Sequence, residues 1–92
     1  MIKSFKHKGL KRFFESGSTA GIDAQQARKI ATRLSVIHLA DEVGDIDLPG
    51  FALHPLTGDR KGIWSITVTG NWRITFEFVE GDAYILNYED YH

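Results

Sequence analysis

His54, Arg73 and the closing run Asp90-Tyr91-His92 are the side chains of this sequence best suited to chemistry on a phosphodiester. RNA cleavage needs no metal when the 2′-hydroxyl is the nucleophile. A base takes the hydroxyl proton, an acid protonates the leaving oxygen, and a cation steadies the phosphorane between them. Histidine is the side-chain type suited to moving protons near neutral pH, which makes His54 and His92 candidates, and Asp90 suits a base or a carboxylate that orients a histidine. Arg73 matches the fork geometry of phosphate oxygens, and Tyr91 suits stacking on a base or proton donation. Plainer readings stand beside these. His54 on a half-exposed strand reads more simply as a polar surface residue, and Arg73 reads as a sheet-face partner of Glu89 or Glu77 worth about 0.2–1 kcal/mol. A chain terminus is more often frayed than catalytic. Asp90 and His92 as a metal pair is the weakest reading, because two scattered ligands fall short of a metal shell.

Bringing these residues together requires a sheet. Residues 51–56, 63–69, 72–79 and 83–88 are strand-length runs rich in aromatic and β-branched side chains, parted by turn residues. In the central hairpin, a two-residue Gly70-Asn71 loop pairs Val68 with Arg73 and mixes apolar with polar side chains. A three-residue Thr69-Gly70-Asn71 loop sets Val68 against Trp72, Ile66 against Ile74 and Trp64 against Phe76, a uniformly apolar face. The other face then carries Ser65, Thr67, Arg73 and Thr75. A turn at 80–82 brings Tyr88 or Glu89 opposite Arg73, so the terminal run emerges beside it. Closing the 57–62 loop as a hairpin sets His54 near Ser65. Trp64, Trp72, Phe76 and Phe78 read as core.

Ahead of the strands, residues 2–7 alternate like a short strand, and residues 9–15 place Leu10, Phe13 and Phe14 at helical spacing. A second helix starts at the Asp23 cap with Gln26 closing the box. Its apolar stripe is Ala27, Ile30, Ala31, Leu34, Ile37 and Ala40, with Arg28, Lys29, Thr32 and Arg33 expected in solvent. The fold class is therefore α+β: a short N-terminal strand, two helices, then a mainly antiparallel four-stranded sheet.

With 92 residues, 42% hydrophobic, the chain has room for a single domain over residues 1–92. It contains no cysteine, which excludes disulfide scaffolds, thiol nucleophiles and Cys-based zinc sites. No apolar run approaches the roughly 18 residues of a membrane span, so a cytoplasmic protein with no membrane contact is expected. The net charge of −1 conceals an asymmetry. Residues 1–33 hold eight basic side chains against Glu15 and Asp23, whereas the remainder holds ten acids against Arg60, Lys61 and Arg73. The basic third suits an anionic partner, or is simply a solvated face.

The run Leu53-His54-Pro55-Leu56-Thr57-Gly58-Asp59-Arg60, with Trp64-Ser65-Ile66, Asn71-Trp72-Arg73-Ile74 and Asn87-Tyr88-Glu89-Asp90-Tyr91-His92, resembles the HigB toxins of the RelE superfamily. So does the opening, Met1 through Lys11, and the likeness covers essentially the whole chain. It implies a RelE-like microbial RNase fold and a bacterial type II toxin that enters the ribosomal A site and cuts messenger RNA without metal or cofactor. It further implies a HigA-like helix-turn-helix antitoxin, with operator DNA reached only through that partner. In such toxins the functional residues correspond to His54, Arg73, Asp90, Tyr91 and His92. RNA and ribosome contacts then fall to Lys3, Lys6, Lys8, Lys11, Arg12, Arg28, Lys29, Arg33, Arg60 and Lys61. Thr57 stands where several relatives carry a lysine that resembles a transition-state cation; Arg60 or Lys61 is the nearest substitute. The rival readings are a catalytically weakened RNA- or ribosome-binding module and an antitoxin co-repressor.

Overall fold

The computed structural model describes residues 1–90. Helices α1 (Lys8–Ser16) and α2 (Ala27–Leu39) precede four strands, β1 (His54–Pro55), β2 (Trp64–Thr69), β3 (Trp72–Val79) and β4 (Asp82–Asp90). The strands form one antiparallel sheet in the order β1-β2-β3-β4, and both helices pack on one of its faces. Leu10 from α1 and Ile30, Leu34 and Ile37 from α2 meet Ile66, Ile74, Phe76 and Leu86 from the sheet, all at most 1% exposed. Trp64, Trp72 and Phe78 are half-buried against that core, and Trp72 stacks on Tyr88 at 4.5 Å. The face away from the helices is left for polar side chains.

The capping of α1 is unusual in its chemistry. His7 holds the extended N-cap position, and its Nδ1 accepts the Leu10 amide at 3.0 Å. Gly17 ends the helix at φ 78°, returning its amide to the Phe13 carbonyl. The first turn of α1 lies so close to the 21–22 loop that a Cβ on Gly9 would sit 2.3 Å from the Gly21 carbonyl oxygen. An Nδ1 that accepts a backbone N–H must be unprotonated, and burial lowers the pKa of His7 below its ordinary 6.5. The unfolded chain therefore binds this proton more readily than the folded one. His7 contributes its full stability above about pH 6.5, and that contribution is lost as pH falls through the lower folded value. The urea midpoint should drop between pH 7 and pH 5 by more than it does in His7→Asn, whose amide caps without titrating. Equal slopes would remove His7 from this role.

The details differ from the sequence pattern in four places, each for a local reason. Residues 2–7 do not form a strand. They run beside β4 with isolated parallel bridges at Ile2–Ala83 and Phe5–Leu86, because β4 carries a bulge between these points where Ile85 turns to φ 50°. Of residues 51–56 only His54 and Pro55 pair as strand, although the Phe51 carbonyl still accepts the Thr67 amide at 2.7 Å. In the central hairpin Thr69, not Val68, pairs with Trp72 across Gly70-Asn71. The slip between Thr67 and Thr69 restores the expected Ile66–Ile74 and Trp64–Phe76 pairs.

The fourth difference corrects the expectation for α2. Ala31 is exposed, whereas Arg33 is buried at 8% exposure. The ladder breaks beside Thr67, and Arg33 Nε donates to that residue's carbonyl at 2.6 Å while the guanidinium lies 4.4 Å over the Phe51 ring. Arg33 is thus a structural cation of the helix–sheet seam and no longer a candidate surface contact for RNA. Gln26 is buried as well: its carbonyl accepts the Tyr88 hydroxyl at 2.6 Å, and Asp23 caps the short 3₁₀ turn Ala24–Gln26 ahead of the helix.

Candidate active site

A cleft of about 460 Å³ opens on the sheet face away from the helices, between the 56–62 loop and the ends of β2 and β3. Two cross-strand rows enter its lining and continue beyond it across the sheet. His54, Ser65, Thr75 and Asn87 stand opposite one another across the four strands; Thr67, Arg73 and Glu89 form the next row. The expected neighbours His54–Ser65 and Arg73–Glu89 are both found. His54 and Arg73 line the same cleft, with Thr57, Arg60, Thr67 and Trp72.

His54 is exposed, and its Nδ1 lies 2.8 Å from the Ala52 carbonyl oxygen. A carbonyl only accepts, so Nδ1 carries the proton, and in the neutral ring Nε2 is the basic nitrogen. Ala52 itself holds φ 50°, a backbone conformation that L residues seldom adopt. Beneath His54 the Ser65 hydroxyl is buried with no hydrogen-bond partner among the described residues.

The second row is dominated by one carboxylate. Glu89 Oε1 receives Arg73 Nε at 2.9 Å, Arg73 Nη2 at 2.8 Å and Arg60 Nη1 at 2.6 Å. Its other oxygen receives Arg60 Nη2 at 3.3 Å and Asn87 Nδ2 at 3.0 Å. Burial pushes the Glu89 pKa up, but the hydrogen bonds and charges of Arg60 and Arg73 outweigh it, and the net shift is downward. Two guanidiniums, one from the row and one from the loop, thus converge on one ionised carboxylate, and the fork that grips a carboxylate also suits the oxygens of a phosphate.

Arg60 reaches this position because the loop after β1 closes on itself. Gly58 turns at φ 67°, the short 3₁₀ turn Gly58–Arg60 forms, and the Arg60 carbonyl accepts the Ile63 amide at 3.1 Å. Lys61, its neighbour, is exposed and does not line the cleft. Asp90 ends β4 opposite Trp72, one place beyond the Arg73–Glu89 row, is exposed, and is not part of the cleft wall. Tyr91 and His92 lie outside the described residues. Lys3, Lys6, Lys8, Lys11, Arg12, Arg28 and Lys29 are all exposed, on the N-terminal segment and the two helices. Sequence reasoning treated Glu89 only as a salt-bridge partner for Arg73. Its hold on Arg60 as well was not foreseen, and the one available signal was the shortness of the 57–62 loop. Among the described residues no three His, Asp or Glu side chains gather as metal ligands would. No helix there is long and apolar enough to cross a membrane.

Residues 3–92, and with them every residue of the cleft, match the family model described as the RelE-like toxin of type II toxin–antitoxin system HigB. The chain belongs to the HigB toxin family. Endoribonuclease HigB of Proteus vulgaris is 62% identical to it over 92 residues, covering the whole of both chains. In HigB terms, two helices on one face of a four-stranded antiparallel sheet are the RelE-like fold, and the opposite face carries the cleft.

Proposed function

We propose that this HigB-family toxin is a ribosome-dependent endoribonuclease that cuts messenger RNA in the ribosomal A site, in the cytoplasm, and that a HigA-like helix-turn-helix antitoxin neutralises it. The activity itself is the one named for its Proteus vulgaris relative. The observation that carries the reading is that His54 and Arg73, brought from separate strands, line one cleft together with Arg60. In the proposed reaction a base takes the proton of the 2′-hydroxyl and the 2′-oxygen bonds to phosphorus. The P–O5′ bond then breaks, and the departing 5′-oxygen receives a proton. A cyclic phosphate and a 5′-hydroxyl result, with atoms and charge balanced.

His54 and the terminal Asp90 and His92 are assigned to proton transfer, Arg73 to the phosphate, and Tyr91 to positioning a base. The exposed cations of the N-terminal segment and helices, with Arg60 and Lys61, are assigned to RNA and ribosome contact, which gives a chain of net charge −1 an attractive surface for RNA. Operator DNA is reached only through the antitoxin. The test is cleavage of a defined messenger by purified protein with and without translating ribosomes. Cuts that require ribosomes are the expected result. Ribosome binding without cuts would replace this reading with that of a binding module.

A further inference from the structure

The cleft holds a second arginine that the proposed chemistry has not used. Arg60 and Arg73 come from different parts of the chain, one from a loop and one from the middle of the sheet, yet they meet on a single carboxylate oxygen. Two adjacent cations repel, and a loop arginine with no other anchor would swing into water. Glu89 prevents both. Stability alone does not explain the arrangement, because the Arg60 side chain is 41% exposed and an ion pair at such a place contributes little. The guanidinium fork fits a phosphate as it fits a carboxylate. In the phosphorane both non-bridging oxygens carry negative charge, so one cation on each stabilises it better than one cation on either.

We propose that Arg60 is a second phosphate-binding cation of this cleft and that Glu89 is the positioning residue that fixes it beside Arg73. This rests on the cleavage reading and adds to it the group that meets the second non-bridging oxygen. The Thr67 and Asn87 side chains belong to the same two rows, and Asn87 Nδ2 holds the second Glu89 oxygen, so the carboxylate is braced from its own strand as well.

Two arms test it. In the first, single-turnover cleavage on programmed ribosomes is compared for the wild type, Arg60→Ala, Arg60→Lys, Glu89→Gln and the Arg60→Ala/Glu89→Gln double variant. The substrates are messengers with a phosphate or either phosphorothioate diastereomer at the scissile linkage. Arg60→Ala should slow cleavage about 10-fold to 100-fold, less than a buried oxyanion donor is worth, and should shrink the rate difference between phosphate and one phosphorothioate diastereomer. Arg60→Lys should recover part of the rate. Glu89→Gln should slow the wild type by a larger factor than it slows Arg60→Ala, because it acts through both Arg60 and Arg73 and only the second path remains in that background.

In the second arm the wild-type protein is titrated with inorganic phosphate while the arginine Nε–H signals are followed by NMR. The Arg60 and Arg73 signals should move together. A wild type that cuts, with Arg60→Ala cutting at the same rate and an unchanged phosphorothioate effect, overturns the proposal and leaves the cleavage reading intact. A wild type that does not cut while the Arg60 signal follows phosphate removes the cleavage reading and sustains the anion site. An Arg60 signal that ignores phosphate overturns the site directly.

Discussion

On the proposed reading, Arg73→Ala should lower messenger cleavage on translating ribosomes by about 10²–10³-fold, the loss that follows removal of one preorganised donor to a developing oxyanion. The size of the effect follows from how the residue is held. Arg73 stands in β3 between Thr67 and Glu89, its side chain only 16% exposed and aligned by the Nε hydrogen bond and the Nη2 ion-pair contact to one carboxylate oxygen. A cation so placed needs little reorganisation when the phosphorane forms. Arg73→Lys keeps the charge but loses the planar fork, and should recover only a small part of the rate. Stability should change far less than activity, because Glu89 keeps both hydrogen bonds from Arg60 and the bond from Asn87 in the variant. A thermal melt displaced by a few degrees, beside a cleavage rate near background, is the expected pair of results. Cleavage within a factor of about three of the wild type would remove Arg73 from the chemistry and return it to the role of a sheet-face ion pair.

Phe76→Ala is the largest expected loss of stability. Phe76 is 0% exposed, lies in β3 opposite Trp64, and packs edge-on against Phe78 at 6.5 Å. Truncating a fully buried phenylalanine removes its transfer energy and leaves a cavity, together about 3–5 kcal/mol. Domains of this size are stable by about 5–15 kcal/mol, so the variant loses between a fifth and all of its margin. At about 4–8 °C per kcal/mol, the melting temperature should fall by at least 12 °C. A fall of less than about 5 °C would mean that the helices do not seal this face of the sheet as described.

The apolar pattern of the strands was enough to set most of the register. Ile66–Ile74 and Trp64–Phe76 follow from it, because a slip by one residue would turn every side chain over. The same pattern could not separate a three-residue loop from a two-residue loop with a slip at Val68, since both keep those pairs. Nor could it show the bulge at Ile85 that interrupts pairing with the N-terminal segment. Bulges are set by backbone geometry, and side-chain alternation resumes on either side of them. Arg33 was hidden for a related reason: the helical stripe places it in solvent, but the Thr67 carbonyl needs a donor, and a backbone acceptor leaves no mark in a side-chain pattern. In the site, His54 and Arg73 were legible by register alone. Arg60 was visible only as one loop cation among several, because what distinguishes it is a contact 29 residues away in sequence with Glu89.

The borders of the sheet bear on how the protein behaves alone. β1 is two residues long and ends in a proline, which has no amide to offer a neighbour. Along β4, the N-terminal segment already occupies backbone groups of Ala83 and Leu86. Among the described residues, neither border offers a long open ladder onto which a second chain could add a strand, so the route by which sheets template aggregation is largely closed. A chain with such borders should stay dispersed at high concentration even without a partner to cover it.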